Sequence, residues 1–263
     1  GLGGTDVAKQ ASDIILADDN FATIEKAIEE GRGIYENIKK SVLFLLSSNF
    51  GEIMTMFAAI ACDIAAPLKA SHILWINLIT DSLPALALGV DENDMDDLMA
   101  RPPRDEKESL FAHGGLRCTV FYGLLIGGVS LAAFLMAPFA ALTESGREAT
   151  WAALTESLGN PMILSRAQTY AFTVLGLSQL FHAVGMRNMR KSVFAMDHLS
   201  NKLMIAAFFA GVALQAAVTE IPFLVHAFQT VRLSAGEWGR LLLLAAAPLF
   251  AHEVICLLGV RRG

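Results

Sequence analysis

Two carboxylates, two amides and several hydroxyls stand inside stretches of sequence otherwise suited to hydrocarbon. Ser47, Ser48, Asn49 and Glu52 interrupt one apolar block, and Asn77, Thr80 and Asp81 interrupt the next. An ionisable group at mid-membrane costs at least about 2.5 kcal/mol by insertion scales, so each one asks for a reason. On a helix Asn49 and Glu52, three apart, share a face, and offsets of three and four bring Asn77, Thr80 and Asp81 together. Pro84, three residues past Asp81, removes a backbone donor and can open the helix there, freeing carbonyls toward a polar cavity. Every one of these groups offers oxygen and none is Cys or His. That is the donor set of a hard cation: Ca2+, Mg2+, Na+, K+ or Mn2+. Two carboxylates suit a divalent ion, or a monovalent ion with one proton retained. No apolar block contains a Lys or Arg to neutralise them, so Glu52 and Asp81 read as a cation-binding pair. Ser47 and Ser48 read instead as hydroxyls that bond helix to helix.

Further along, Gln179 can supply another oxygen, although an amide in a span more often bridges helices. His182, Glu220, His252 and Glu253 read as packing or interfacial groups. The run Asp91-Glu92-Asn93-Asp94-Met95-Asp96-Asp97 fails as a calcium loop. Met95 stands where an oxygen ligand belongs, and the glycine of an EF-hand loop is missing. It reads as a solvated acidic loop that can attract cations. Lys39 and Lys40 read as interfacial anchors.

These residues must be held by membrane helices. Of 263 residues, 54% are hydrophobic and only 17% charged, well under the roughly 25% charge of soluble proteins. The apolar residues fall in six blocks, about 41–61, 72–90, 118–140, 167–186, 203–225 and 241–260, each long enough to cross a bilayer. The expected fold is therefore an all-α polytopic membrane protein of six transmembrane helices. The net charge of −6 and the lack of a basic tract argue against nucleic acid as a partner. Cys62, Cys118 and Cys256 show no C-x-x-C spacing, so neither zinc nor a redox motif is indicated. Fifteen of the twenty Lys and Arg lie in segment 1–40 or on the side it shares with 91–117, 187–202 and the C-terminus. Arg187, Arg190, Lys191 and the terminal Arg261-Arg262 weigh most. The positive-inside rule makes both termini cytoplasmic.

Residues 1–40 have soluble character. Ile14-Ile15-Leu16 suits a buried strand, and Asn20 can cap a helix whose apolar positions Phe21, Ile24, Ala27 and Ile28 run on into the first block. Forty residues cannot bury a core alone, and the opening Gly1-Leu2-Gly3-Gly4 has neither Met nor a signal region. The chain is expected to be part of a longer polypeptide.

At this point a family resemblance is visible. GTDVAKQASDIILADDNFATIEKAIEEGRGIYENIKK (Gly4 to Lys40) resembles the end of the phosphorylation domain of a type II P-type ATPase, with its stalk helix. SSNFGE (Ser47 to Glu52) resembles the fifth membrane helix of calcium pumps, and LWINLITDSLPALALG (Leu74 to Gly89) the sixth. MARPPR (Met99 to Arg104) is similar to the loop that follows. The resemblance implies a short fragment of an α/β phosphorylation domain with a stalk helix (1–40) and a cation-binding hairpin (41–90). It further implies a cytoplasmic loop (91–117) and a four-helix C-terminal domain (118–263). It implies that Asn49, Glu52, Thr80 and Asp81 form one cation site, and that Asn77 and the shared Asp81 belong to a second. Gln179 matches approximately an acidic ligand of the animal reticulum-type pump, a departure that weakens the first site. Asn77 favours calcium over the sodium–potassium relatives. Manganese stays open, although retention of Asn49 and Glu52 leans away from the secretory-pathway pumps that carry both ions.

The expected function is the membrane cation-transport portion of an ATP-driven calcium pump, with Ca2+ as the transported ion. DKTGT and TGDG-x-ND are absent from the chain, so ATP and Mg2+ belong to the complete parent, a Ca2+-transporting translocase. Its actuator, nucleotide-binding and phosphorylation domains would be partners, together with the lipid bilayer. The absence of long loops and targeting signals points to a bacterial plasma membrane. Beside the pump stand two rival readings, of which the first uses the same acids and the second needs the spans but not Glu52 and Asp81. One is a stand-alone secondary carrier, for which internal repeats are expected and none is visible. The other is a non-transporting truncated regulator.

Overall fold

Helix starts follow local capping. In the computed structural model, which describes residues 1–105 and 107–259, Thr5 caps a short α1 (Asp6–Gln10). Asn20 then accepts the amide of Ala22 and opens α2 (Phe21–Ala61). This 41-residue helix is continuous through the expected stalk and first span, a rod of roughly 60 Å. The second span is broken. It consists of α3 (Ala70–Trp75), a π-helical turn (Ile76–Asp81) and α4 (Ser82–Gly89). Pro84 has no N–H to offer the preceding turn, and the Ser82 hydroxyl donates to the Asn77 carbonyl at 2.9 Å within the widened segment.

Next come α5 (Met95–Ala100), α6 (Gly115–Glu144), α7 (Trp151–Ser157) and α8 (Pro161–Met186), followed by a 3-10 turn (Val193–Ala195). The chain continues as α9 (Lys202–Glu220), α10 (Pro222–Phe228), α11 (Ala235–Ala245) and α12 (Ala247–Leu257). The fourth helix of the expected six starts earlier than its apolar block, because Asn160 caps it and Pro161 fits its first turn. The fifth ends before Pro222, and the sixth starts at a Ser234–Glu237 capping box. Residue 260 and the Arg261-Arg262 pair lie outside the described residues.

Taken singly, α2, α6, α9 and the α11–α12 segment are long and apolar enough to cross a membrane. The two other expected spans are the broken one and α8, which carries Gln, Thr and Ser. Burial explains how α8 tolerates them: from Ala167 to Leu180 every residue is buried. Phe172, Val174, Leu175, Leu177 and Leu180 anchor a core shared with α6, α9 and α11. Outside, Phe57, Phe209, Leu243 and Phe250 are exposed, the apolar exterior of a polytopic membrane protein.

α2 and α6 approach closely at Gly123 and Gly127. A Cβ at Gly123 would sit 2.4 Å from Phe50, and one at Gly127 would sit 3.0 Å from the Gly51 carbonyl. This is the small-xxx-small contact by which membrane helices pack.

The strand expected at Ile14-Ile15-Leu16 does not form, and no strand occurs among the described residues. A strand needs a neighbour for its backbone hydrogen bonds. Among the described residues no backbone hydrogen bond ties Ile14, Ile15 or Leu16 to another segment, and Ile14 and Ile15 are exposed.

Candidate functional site

The expected ligands come from three directions. α2 carries Glu52, the π-turn carries Asn77, Thr80 and Asp81, and α8 carries Gln179. The Glu52 carboxylate is the joint between them. Its Oε2 accepts Asn77 Nδ2 at 3.1 Å and its Oε1 accepts Gln179 Nε2 at 3.2 Å. The Thr80 hydroxyl lies 3.2 Å from Gln179 Oε1 and 3.0 Å from the Ile76 carbonyl. It has one proton for these two acceptors. Glu52, Asn77, Thr80 and Gln179 thus form one continuous polar chain.

Asp81 is next to that chain but not hydrogen-bonded into it. It is 1% exposed, and neither carboxylate oxygen has a hydrogen-bond partner. The Ser48 hydroxyl on α2 is likewise buried without a hydrogen-bond partner. A buried carboxyl left this way is expensive unless a cation or proton meets it. The widened turn that ends at Asp81 also loosens the backbone beside it. The arrangement offers a positive ion two carboxylates and nearby amide and hydroxyl oxygens, with no thiol or imidazole. Among the described residues no three His, Cys, Asp or Glu converge, so a cation here must take its remaining oxygens from amides, hydroxyls and carbonyls.

Asn49 is placed otherwise. Its Nδ2 donates to the Leu45 carbonyl of its own helix at 2.9 Å, and it is not bonded to Glu52. Ser47 bridges helices, as its type suggested: its hydroxyl lies 2.7 Å from His182 Nε2 and bonds the Leu43 and Phe44 carbonyls. His182 packs against Tyr122 and Phe44. Glu253 accepts Ser192 Oγ and the Val193 amide, and His252 Nε2 lies 3.0 Å from the Lys191 carbonyl. Both tie α12 to the loop after α8.

Two readings of charge need correction. Asp91 is not a solvated loop residue: its side chain is buried, paired with Arg187 and with Lys40, and accepts Asn201 Nδ2 at 2.8 Å. Lys40 is not a free interfacial anchor, because its ammonium is buried and donates to Asn93 Oδ1 at 2.7 Å. Burial of that end of the loop against α2 and α9 removes the water that sequence composition implied.

This geometry, a cation-suited polar chain threaded through a helical membrane bundle, coincides with a family match. Residues 65–258 match the family described as cation transporting ATPase, C-terminus. The chain belongs to the cation-transporting ATPases. Its relatives include Calcium-transporting ATPase 1 of Bacillus cereus, 46% identical over 97% of the chain and 28% of the relative. Calcium-transporting ATPase of Bacillus subtilis is 40% identical over 95% of the chain and 26% of the relative. A probable cation-transporting ATPase F of Mycobacterium tuberculosis is 33% identical over 94% of the chain and 25% of its own length. The chain therefore spans about a quarter of the length of these relatives. Asn77, Thr80, Asp81 and Gln179 fall inside the matched stretch 65–258, and Asn49 and Glu52 precede it.

One buried residue of the chain carries no expectation from the sequence. Gln215 of α9 is wholly buried, with neither amide atom hydrogen-bonded. The signal was available: a lone amide in an apolar helix, with no partner of its own.

Proposed function

We propose that this chain is the cation-translocating membrane portion of an ATP-driven calcium pump, with Ca2+ as the transported ion. In this reading residues 1–40 transmit movement from the soluble domains, 41–90 hold the ion, 91–117 form a cytoplasmic loop and 118–263 support the site. Both termini face the cytoplasm of a bacterial plasma membrane. The observation that carries the reading is Asp81: a buried carboxyl without a hydrogen bond, beside a second carboxyl held by two amides. The calcium-transporting names of the two Bacillus relatives support the choice of ion.

The mechanism follows from how the chain is joined. Glu52 lies on the same unbroken helix as residues 21–40, so a tilt or axial shift of the stalk moves Glu52 against Asn77 and Gln179. Separation of those faces lowers affinity for the ion, and Glu52 can take a proton as the ion leaves. ATP, Mg2+ and the phosphorylated aspartate belong to the upstream actuator, nucleotide-binding and phosphorylation domains of the complete protein.

The test is Asp81→Asn in the full-length pump, read as calcium-dependent phosphorylation by ATP. The reading expects that dependence to vanish. Unchanged calcium dependence would remove Asp81 from the site. Wild-type phosphorylation that responds to Mn2+ but not to Ca2+ would reassign the ion.

A further inference from the structure

Gln215 lies on a helix to which no cation ligand has been assigned above. The α8–α9 register brings it to the site. Gly211 of α9 faces Leu180 of α8, where a Cβ on the glycine would meet the leucine side chain at 2.7 Å. One turn further along α9, and one turn back along α8, Gln215 faces Gly176. The bulky and small partners exchange places: α9 recedes at Gly211 to admit Leu180, and α8 recedes at Gly176 to admit Gln215. A Cβ on Gly176 would stand 3.1 Å from Gln215 Oε1 and 3.5 Å from Thr80 Cγ2. The amide oxygen of Gln215 and the methyl of Thr80 therefore border the same bare patch of α8. Gln179, which bonds Thr80 and Glu52, lies three residues on.

A fully buried amide with both ends unbonded needs a water or an ion to complete it. The glutamine is placed beside Gly176, whose other close neighbour is the Thr80 methyl, and Asp81, the residue after Thr80, also lacks a hydrogen bond.

We propose that Gln215 is a further cation-site residue, supplying an oxygen from α9 to the ion, or to a water bound to the ion, at the Thr80–Asp81 end of the site. This rests on the calcium-pump reading. It extends the site from three helical segments to four and gives the ion a neutral oxygen from α9.

The experiment uses the full-length ATPase in membranes, with Gln215→Leu, Gln215→Glu and Asp81→Asn compared with wild type. Two quantities are read: the calcium concentration for half-maximal phosphorylation by ATP, and calcium bound per phosphorylatable site. Gln215→Leu is expected to raise the half-maximal concentration by about tenfold, the scale of one lost polar contact to an ion. Gln215→Glu keeps an oxygen and is expected to stay within about threefold of wild type. Wild-type affinity and stoichiometry in Gln215→Leu would overturn the proposal. Equal loss in the Leu and Glu variants would also overturn it, since that is the pattern of disturbed packing. If Gln215→Leu does not accumulate, Gln215→Asn, which shortens the reach by one methylene, carries the same comparison. Asp81→Asn separates the two failures. Calcium dependence retained there defeats the pump site itself, whereas its loss together with an unaffected Gln215→Leu defeats only the role of Gln215.

Discussion

Asp91 and Arg187, 96 positions apart in sequence, form a buried ion pair with both Nε and a terminal guanidinium nitrogen 2.9 Å from Asp91 Oδ1. Lys40 Nζ approaches the other carboxylate oxygen at 3.5 Å. The Asn37 amide donates to the Asp91 carbonyl at 2.8 Å. One carboxylate thus joins α2, the end of α4, the end of α8 and, through Asn201, the start of α9.

Removing that carboxylate leaves two buried cations facing each other. Asp91→Ala is expected to destabilise the protein by about 3–5 kcal/mol, the usual cost of breaking a buried pair from one side. Thermal unfolding in detergent, followed by the loss of monodisperse protein, measures it. A change within about 0.5 kcal/mol, the range of ordinary surface substitutions, would mean that water already screens the cluster.

Calcium should stabilise the folded protein if Asp81 receives it. At a hundredfold excess over its dissociation constant, a bound ion adds about 2.7 kcal/mol. Removing calcium with a chelator is therefore expected to lower the unfolding temperature of the wild type but not that of Asp81→Asn. The cation-free variant should also unfold above the cation-free wild type, because an amide is cheaper to bury than an unpaired carboxylate. Equal responses to the chelator would exclude Asp81 as the stabilising site.

Gln179 donates to Glu52 from the position where the family resemblance implies an acid. Gln179→Glu replaces that donor, now 3.2 Å from Glu52 Oε1, with a third carboxylate beside Glu52. The empty site should become less stable and calcium should bind about tenfold more tightly, or with a higher stoichiometry. Equilibrium calcium binding checks both. Weaker binding would show that the amide donor is needed to orient Glu52.

The α2–α6 contact depends on bare backbone. Gly127→Leu would have to fit a side chain where a Cβ already lies 3.0 Å from the Gly51 carbonyl and 3.2 Å from Met54 Cβ. A cost of about 1–3 kcal/mol is expected from overpacking, together with weakened cation binding, because Gly51 adjoins Glu52. Gly128→Leu is the control, since nothing lies within 4 Å of a Cβ there. Equal effects at both positions would refute the close-packing argument.

The helices and much of the polar chain were legible from local sequence. Apolar block lengths, the Asn20 cap, and the spacing of Glu52, Asn77, Thr80 and Asp81 are local properties, and capping and periodicity act within a few residues. The broken turn near Pro84 was legible for the same reason. Tertiary structure decided which polar groups meet. Asn49 shares a helix with Glu52 but bonds back to Leu45, while Gln215 reaches the neighbourhood of Thr80 through the space left by Gly176. Asp91 looked solvated within its acidic run, yet it is buried because Lys40, Arg187 and Asn201 converge on it from distant segments. Composition fixes that a charge needs compensation. Only the rotation and register of packed helices fix whether water, an ion or another side chain supplies it.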